Sequence, residues 1–146
     1  MRFLASTCLA LALAACSQPP GPAIAAELRI EAALSERVAA LGVYVLGPKQ
    51  TDGIFLTCPA LMDNTGNRVA PDDPKVERLG HQEATFALDD STVSLTEIAA
   101  GSHRLVYVAA LDDENALLGE GCREDVTVES NATTSVSIFV YEYTGG

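Results

Sequence analysis

Hydrophobic and polar residues alternate along most of the chain after residue 26, as they do in half-buried β-strands. The alternation is clear over residues 91–98, and over 134–143 it places Val136, Ile138 and Val140 on one face. Residues 38–46 are a nearly continuous apolar run, which is typical of a buried strand. Residues 105–111 give the strongest strand pattern in the chain.

Turn residues separate these segments at intervals of about 8–12 residues, which is typical of a β-sandwich. Eight or nine strands are predicted, and the clearest cover residues 28–32, 38–46, 54–58, 83–88, 91–98, 104–111, 125–129 and 134–143. The fold class is therefore all-β: a single small antiparallel β-sandwich of the Ig-like kind. Residues 31–41 tolerate a helix, and residues 63–80 form the longest irregular stretch, of a kind that is often functional.

The first 15 residues differ in kind from the rest of the chain. Arg2 is their only charge, and residues 3–15 are almost wholly apolar, too short for a spanning helix but long enough for a signal-peptide core. The segment ends in Leu13-Ala14-Ala15-Cys16, which resembles the lipobox of bacterial lipoproteins. An ordinary secretory signal with a chance cysteine is the alternative.

The lipobox resemblance implies cleavage before Cys16 and lipidation of its sulfur. It divides the chain into a signal peptide (1–15), a lipidated Cys with a Pro-rich tether (16–26) and a β-sandwich domain (27–146). The implied location is the bacterial cell envelope, and the membrane partner is reached through the lipid. Ser17, in place of an inner-membrane retention Asp, implies the outer membrane.

Two of the four cysteines remain for the domain, because Cys8 leaves with the signal and Cys16 carries lipid. In an oxidising compartment Cys58 and Cys122 are expected to form a disulfide. A metal pair or a redox pair is the alternative, but the two residues are far apart in sequence and form no Cys-x-x-Cys motif.

The last third of the chain carries a second resemblance. Residues 95–115 (Leu-Thr-Glu-Ile-Ala-Ala-Gly-Ser-His-Arg-Leu-Val-Tyr-Val-Ala-Ala-Leu-Asp-Asp-Glu-Asn) and 126–138 resemble two hairpins of carboxypeptidase-regulatory-like and transthyretin-like β-sandwiches. The sequence departs from that pattern at Ala99, where the family usually has Pro, and at Asn131, where it usually has Gly. Such motifs specify hairpins, so the resemblance implies a fold and no activity.

Charge and composition restrict the classes of partner and activity that the protein can have. The formal net charge of -11 makes nucleic acid an unfavourable partner, and 48% hydrophobic residues suffice for a core. The only histidines are His81 and His103, and no Gly-x-Ser-x-Gly motif is present, so we predict that the protein is not an enzyme and needs no cofactor. His81 with Glu83 supplies at most two metal ligands, and the acidic doublets 72–73, 89–90 and 112–113 match no calcium-loop spacing, so no metal is predicted.

The closing strand supplies the candidate ligand surface. Phe139, Tyr141 and Tyr143 share the face opposite Val136, Ile138 and Val140. They form either an exposed aromatic stripe for a peptide or glycan, or a layer packed beneath the N-terminal segment or the long loop. Two functions follow: a membrane-anchored envelope lipoprotein displaying a non-enzymatic interaction or structural module, or a ligand-binding lipoprotein for a glycan, peptide or metal. A deep pocket at Tyr141 and Tyr143 would favour the second, and a flat surface the first.

Overall fold

The fold is all-β, as predicted, with seven strands in one mixed sheet that is nearly closed into a barrel. The computed structural model describes residues 21–87 and 92–145, so the leader, Cys16, most of the tether and the Asp89-Asp90 turn lie outside the described residues. The described strands are β1 (Ala23–Ile30), β2 (Ala40–Gln50), β3 (Val76–Thr85), β4 (Thr92–Thr96), β5 (Gly101–Leu111), β6 (Leu117–Val128) and β7 (Thr133–Glu142). Two single-turn helices, α1 (Ala32–Ser35) and α2 (Cys58–Leu61), lie between β1 and β2 and between β2 and β3.

The strand order is β3-β2-β5-β6-β7-β1-β4, and one pairing differs from the prediction. Strand β1 pairs in parallel with β7 along its whole length and antiparallel with β4. The expectation of a purely antiparallel arrangement was therefore wrong. Alternation along a strand fixes which side chains face inward, but it carries no information about the direction of the neighbouring strand.

The inner core fills the interior of the barrel with aliphatic side chains. Every strand contributes side chains to this core, although those from β3 are only partly buried. Its buried members include Ile24, Leu28, Val43, Val45, Val93, Leu95, Val106, Val108, Val126, Val136, Ile138 and Val140. Every second residue of β7 points into this core, as the sequence pattern predicted.

A second hydrophobic cluster lies on the opposite face of β2 and β5, and we call it the outer cluster. It consists of Leu46, Leu56, Leu61, Val76, Leu105, Tyr107 and Ala109. Helix α2 and the irregular residues 62–75, the covering loop, contribute to this cluster through Leu61, Met62 and Val69. Strand β5 is thus covered on both sides, and this explains its unbroken apolar sequence.

Two predicted boundaries shift in the structure. Strand β1 begins at Ala23 and buries Ile24 completely, so residues 23–26 belong to the domain and not to the tether. The predicted strand 54–58 is wrong: Phe55 forms only an isolated bridge with Lys49, and α2 starts at Cys58. Thr57 caps that helix by accepting a hydrogen bond from the Ala60 amide (3.3 Å), and a Pro at the second helical position favours the turn.

Candidate functional site

The disulfide predicted from the sequence is present. Cys58 at the start of α2 is joined to Cys122 in β6, with their Cα atoms 5.7 Å apart. Beside it, the backbone amide of Cys58 donates a hydrogen bond to the Glu124 carboxylate. These two contacts fasten α2 to β6 and so hold the covering loop against the outer face of the sheet.

A buried charge cluster fastens the same loop further along. Arg68 of the covering loop forms an ion pair with Glu120 of β6, and the Tyr107 hydroxyl donates to the same carboxylate oxygen at 2.9 Å. Glu120 is 5% exposed and Tyr107 1% exposed. Arg68 places one nitrogen, Nη1, in a buried position without a hydrogen-bond partner.

The environment shifts the ionisation of this cluster. Burial, followed by the negative charge of Glu120, raises the pKa of the Tyr107 phenol well above its ordinary value. Burial disfavours the charge on Arg68, but its hydrogen bond to Glu120 and the charges around it outweigh that effect and raise the pKa of the guanidinium. Arg68 therefore stays charged and the Tyr107 phenol stays neutral, and we assign the cluster a structural role.

Phe139 and Tyr141 form an exposed aromatic pair on the outer face of β7. They are 53% and 57% exposed, their ring centroids lie 5.9 Å apart, and the Arg29 guanidinium sits 5.6 Å from the Phe139 ring centre. We call Phe139, Tyr141 and Arg29 the aromatic face. Tyr143 does not belong to it, because that side chain is half-buried and its ring lies 5.4 Å from the Arg68 guanidinium of the covering loop.

The aromatic face borders a shallow cleft where β6 and β7 separate. The ladder between these strands holds two pairs, Gly119 with Glu142 and Glu120 with Tyr141. Gly121 then approaches so closely that an added Cβ would lie 2.2 Å from the Phe139 carbonyl oxygen. Beyond that point a cleft of about 220 Å³ opens, lined by Met62, Cys122, Arg123, Ser137, Phe139 and Tyr141. It is smaller than a usual small-molecule pocket.

A larger open groove lies beside the hairpin that follows β2. It measures about 410 Å³ and is lined by Pro48, Phe55, Leu56, Thr57, His103, Leu105, Glu124 and Asp125. The side chains of Ile54 and Phe55 project from this hairpin and are 60% and 65% exposed. The sequence prediction missed this feature, although Asp52-Gly53 between two apolar stretches is a hairpin signal.

His103 and Asp125 stand at the rim of that groove. His103 Nδ1 lies 2.6 Å from Asp125 Oδ1, and both side chains are more than two-thirds exposed. Both residues also adopt left-handed backbone conformations, with φ of 56° and 58°. Within residues 21–87 and 92–145, neither His103 nor His81 has a hydrogen bond to a Ser, Thr or Cys side chain; His81 instead stacks on Tyr44 with ring centres 4.2 Å apart.

The acidic turns use their carboxylates locally. Asp112 Oδ1 accepts from the amides of Glu114 (2.9 Å) and Ala116 (2.8 Å), and Asp73 Oδ1 accepts from Lys75 (2.8 Å). Such bonds are the ordinary reason for Asp in turns. In the described part of the chain, no group of three or more His, Cys, Asp or Glu side chains is arranged to hold a metal ion.

Among the described residues, no helix has the length and apolar character needed to span a membrane. In comparisons with known proteins, no family model, no curated protein and no solved structure matches the chain. The resemblances to lipoproteins and to transthyretin-like domains therefore stay predictions.

Proposed function

We propose that this protein is a bacterial envelope lipoprotein, anchored through Cys16 and sorted to the outer membrane, that displays a non-enzymatic interaction module. The lipobox supports the anchor, and the paired cysteines are what an oxidising compartment favours. The observation that carries the module is the aromatic face: two large rings stay exposed on an open surface with only a shallow cleft beside them. Such a surface suits a macromolecular partner better than an enclosed small ligand.

The finer fold assignment belongs to the same proposal. A transthyretin-like β-sandwich would place β4, β1 and β7 in one layer and β3, β2, β5 and β6 in the other. The short ladder between β6 and β7 and the aliphatic inner core between the two sets of strands support this arrangement. Residual dipolar couplings measured by NMR test it through the angle between the two layers.

The anchor is tested by acyl labelling of the full chain in a Gram-negative host. Cys16→Ala should abolish incorporation of labelled palmitate and release the protein from the membrane fraction. Cys8→Ala is the matched control, because that cysteine lies inside the leader, and it should leave labelling intact. Labelling that survives Cys16→Ala would refute the proposed anchor.

The aromatic face is tested by photo-crosslinking in the same host. A crosslinking residue in place of Tyr141 should give a discrete adduct that the second-site change Phe139→Ser removes. The same residue in place of Glu114, exposed in the turn between β5 and β6, is the control and should give no such adduct. Identical adducts from both positions, or none from Tyr141, would count against the module.

A glycan ligand is the second candidate, because exposed aromatic rings beside a cleft that also presents Arg123 and Ser137 suit sugar rings. Titration of the full chain with soluble envelope oligosaccharides, followed by NMR, distinguishes the two. Shifts confined to the amides of Arg29, Phe139 and Tyr141 would favour the glycan, and unchanged spectra together with a protein adduct would favour the interaction module.

A further inference from the structure

The start of β1 and the exposed hairpin lie at the same end of the barrel. Strands β1, β5 and β7 run in one direction, and β2 and β6 run in the other. The start of β1 is fixed at this end by two backbone bonds, from Ala23 to the Ala132 carbonyl (3.3 Å) and from Ile98 to the Pro22 carbonyl (3.1 Å). We call it the tether end, because the chain from Cys16 enters the domain there.

The hairpin at the tether end projects apolar side chains into solvent. It follows β2 at Gln50 and turns at Gly53, which adopts a φ of 84°. The Gln50 amide donates a hydrogen bond to the Ile54 carbonyl at 2.8 Å, and this bond closes the turn. Phe55 lies across the groove from His103 and Asp125, which belong to the tether-end portions of β5 and β6.

The hairpin has the composition of an interfacial membrane contact. Ile54 and Phe55 are the two most exposed of the large hydrophobic residues in the described chain. The Lys49 ammonium lies 4.8 Å from the centre of the Phe55 ring, and Lys75 lies 3.9 Å from Asp52 at the base of the turn. An apolar tip flanked by lysines suits the boundary between acyl chains and headgroups, where long cationic side chains reach the polar layer.

The length of the tether decides which surface meets the bilayer. Only five peptide steps separate Cys16 from Gly21, the first described residue. Fully extended, they span at most about 18 Å. A lipidated Cys16 would therefore hold the tether end, with its hairpin, close to the headgroups.

We propose that the Ile54–Phe55 tip inserts into the lipid interface beside the Cys16 anchor and fixes the orientation of the domain on the membrane. This inference rests on the proposed lipid anchor. The occupant is a lipid surface and not a second copy of the chain, because two side chains bury far less than the roughly 800 Å² per partner of a stable dimer. The tip contributes because the anchor already supplies a high local concentration of lipid.

The absence of tryptophan from the sequence allows a direct test. Phe55→Trp and Phe139→Trp each introduce a single reporter at an exposed phenylalanine, and only the first lies at the tether end. The full lipidated chain is reconstituted into phosphatidylethanolamine–phosphatidylglycerol vesicles with brominated acyl chains. We expect the Phe55→Trp emission to shift to the blue and to be quenched by bromine, and the Phe139→Trp emission to stay unchanged. Ile54→Asp, added to the Phe55→Trp chain, should reduce the quenching.

Each of the other possible results overturns the tip insertion, and they differ in whether the lipid anchor survives. Protein that floats with the vesicles while Phe55→Trp stays unquenched overturns the tip insertion and leaves the anchor standing. A blue shift without bromine quenching that grows with protein density overturns it in favour of a second copy. Protein that fails to float with the vesicles refutes the anchor, and the tip insertion is refuted with it.

Discussion

The inner core and the outer cluster are both apolar, but they are held together in different ways. Regular strands enclose the inner core, and aliphatic residues from neighbouring strands interdigitate there without any polar member. The outer cluster is covered by one helical turn and an irregular loop, which bring few apolar side chains of their own. A disulfide and a buried ion pair fasten that cover at two points. A surface covered by a strand needs only the right alternation, whereas a surface covered by a loop needs specific links.

The largest expected effect comes from removing the covalent link. The double variant Cys58→Ala/Cys122→Ala removes a crosslink between two residues that are 64 positions apart in the sequence. The chain-entropy model gives a resulting loss of about 4 kcal/mol in unfolding free energy. Hydrogen exchange should rise most in the covering loop and α2, and least in β5 and β7. Urea unfolding measures the free energy, and reduced wild-type protein is the control that should match the variant. Equal unfolding midpoints for the oxidised wild type and the variant would show that the link does not stabilise the cover.

The buried ion pair should have the next largest effect. Glu120→Ala leaves the Arg68 charge beside a neutral phenol, and breaking a buried pair costs about 3 kcal/mol. Arg68→Ala together with Glu120→Ala should cost less than the sum of the two single changes, since the double variant leaves no unpaired charge. Additive losses in urea unfolding would show that the two charges do not interact. The surface pair Arg37–Glu142 is the matched control, and its removal should cost under about 1 kcal/mol.

The smallest effect concerns pH. Because the pKa of Tyr107 is raised in the folded protein, its contribution is fully present below the ordinary pKa of a phenol and is lost as the pH rises toward the raised value. The unfolded chain releases that proton first, so stability falls with a slope of up to about 1.4 kcal/mol per pH unit. Tyr107→Phe should flatten the decline that begins at about pH 10, the ordinary pKa of the phenol. Burial also raises the pKa of Tyr44, so Tyr107→Phe should still lose some stability as the pH rises.

Urea unfolding at successive pH values measures this slope, with Tyr141→Phe as the control for loss of an exposed hydroxyl. Identical slopes for wild type and Tyr107→Phe would contradict the assigned role of the phenol in the outer cluster.

Much of the fold follows from local sequence pattern. The alternation over 134–143 predicted the buried face of β7, and the apolar run over 105–111 predicted β5. The strand predicted at 54–58 failed because Thr57 and Pro59 favour a capped turn over an extended chain. For the candidate site, the alternation placed Phe139 and Tyr141 on one strand face but left open whether that face is exposed or covered, and the structure shows that both side chains are exposed. Tyr143 shares their strand face, yet it packs on Arg68 because the covering loop reaches the end of β7.

Local periodicity and a simple count of cysteines were enough to predict the all-β class, the inward residues of most strands and the pairing of Cys58 with Cys122. Three other features appear only in the folded chain: the parallel pairing of β1 with β7, the burial of Arg68 beside Glu120 and Tyr107, and the placement of Phe55 at the end where the tether enters. Those features join residues that are far apart along the chain. Their energies arise from contacts between side chains whose separation in space no local pattern records.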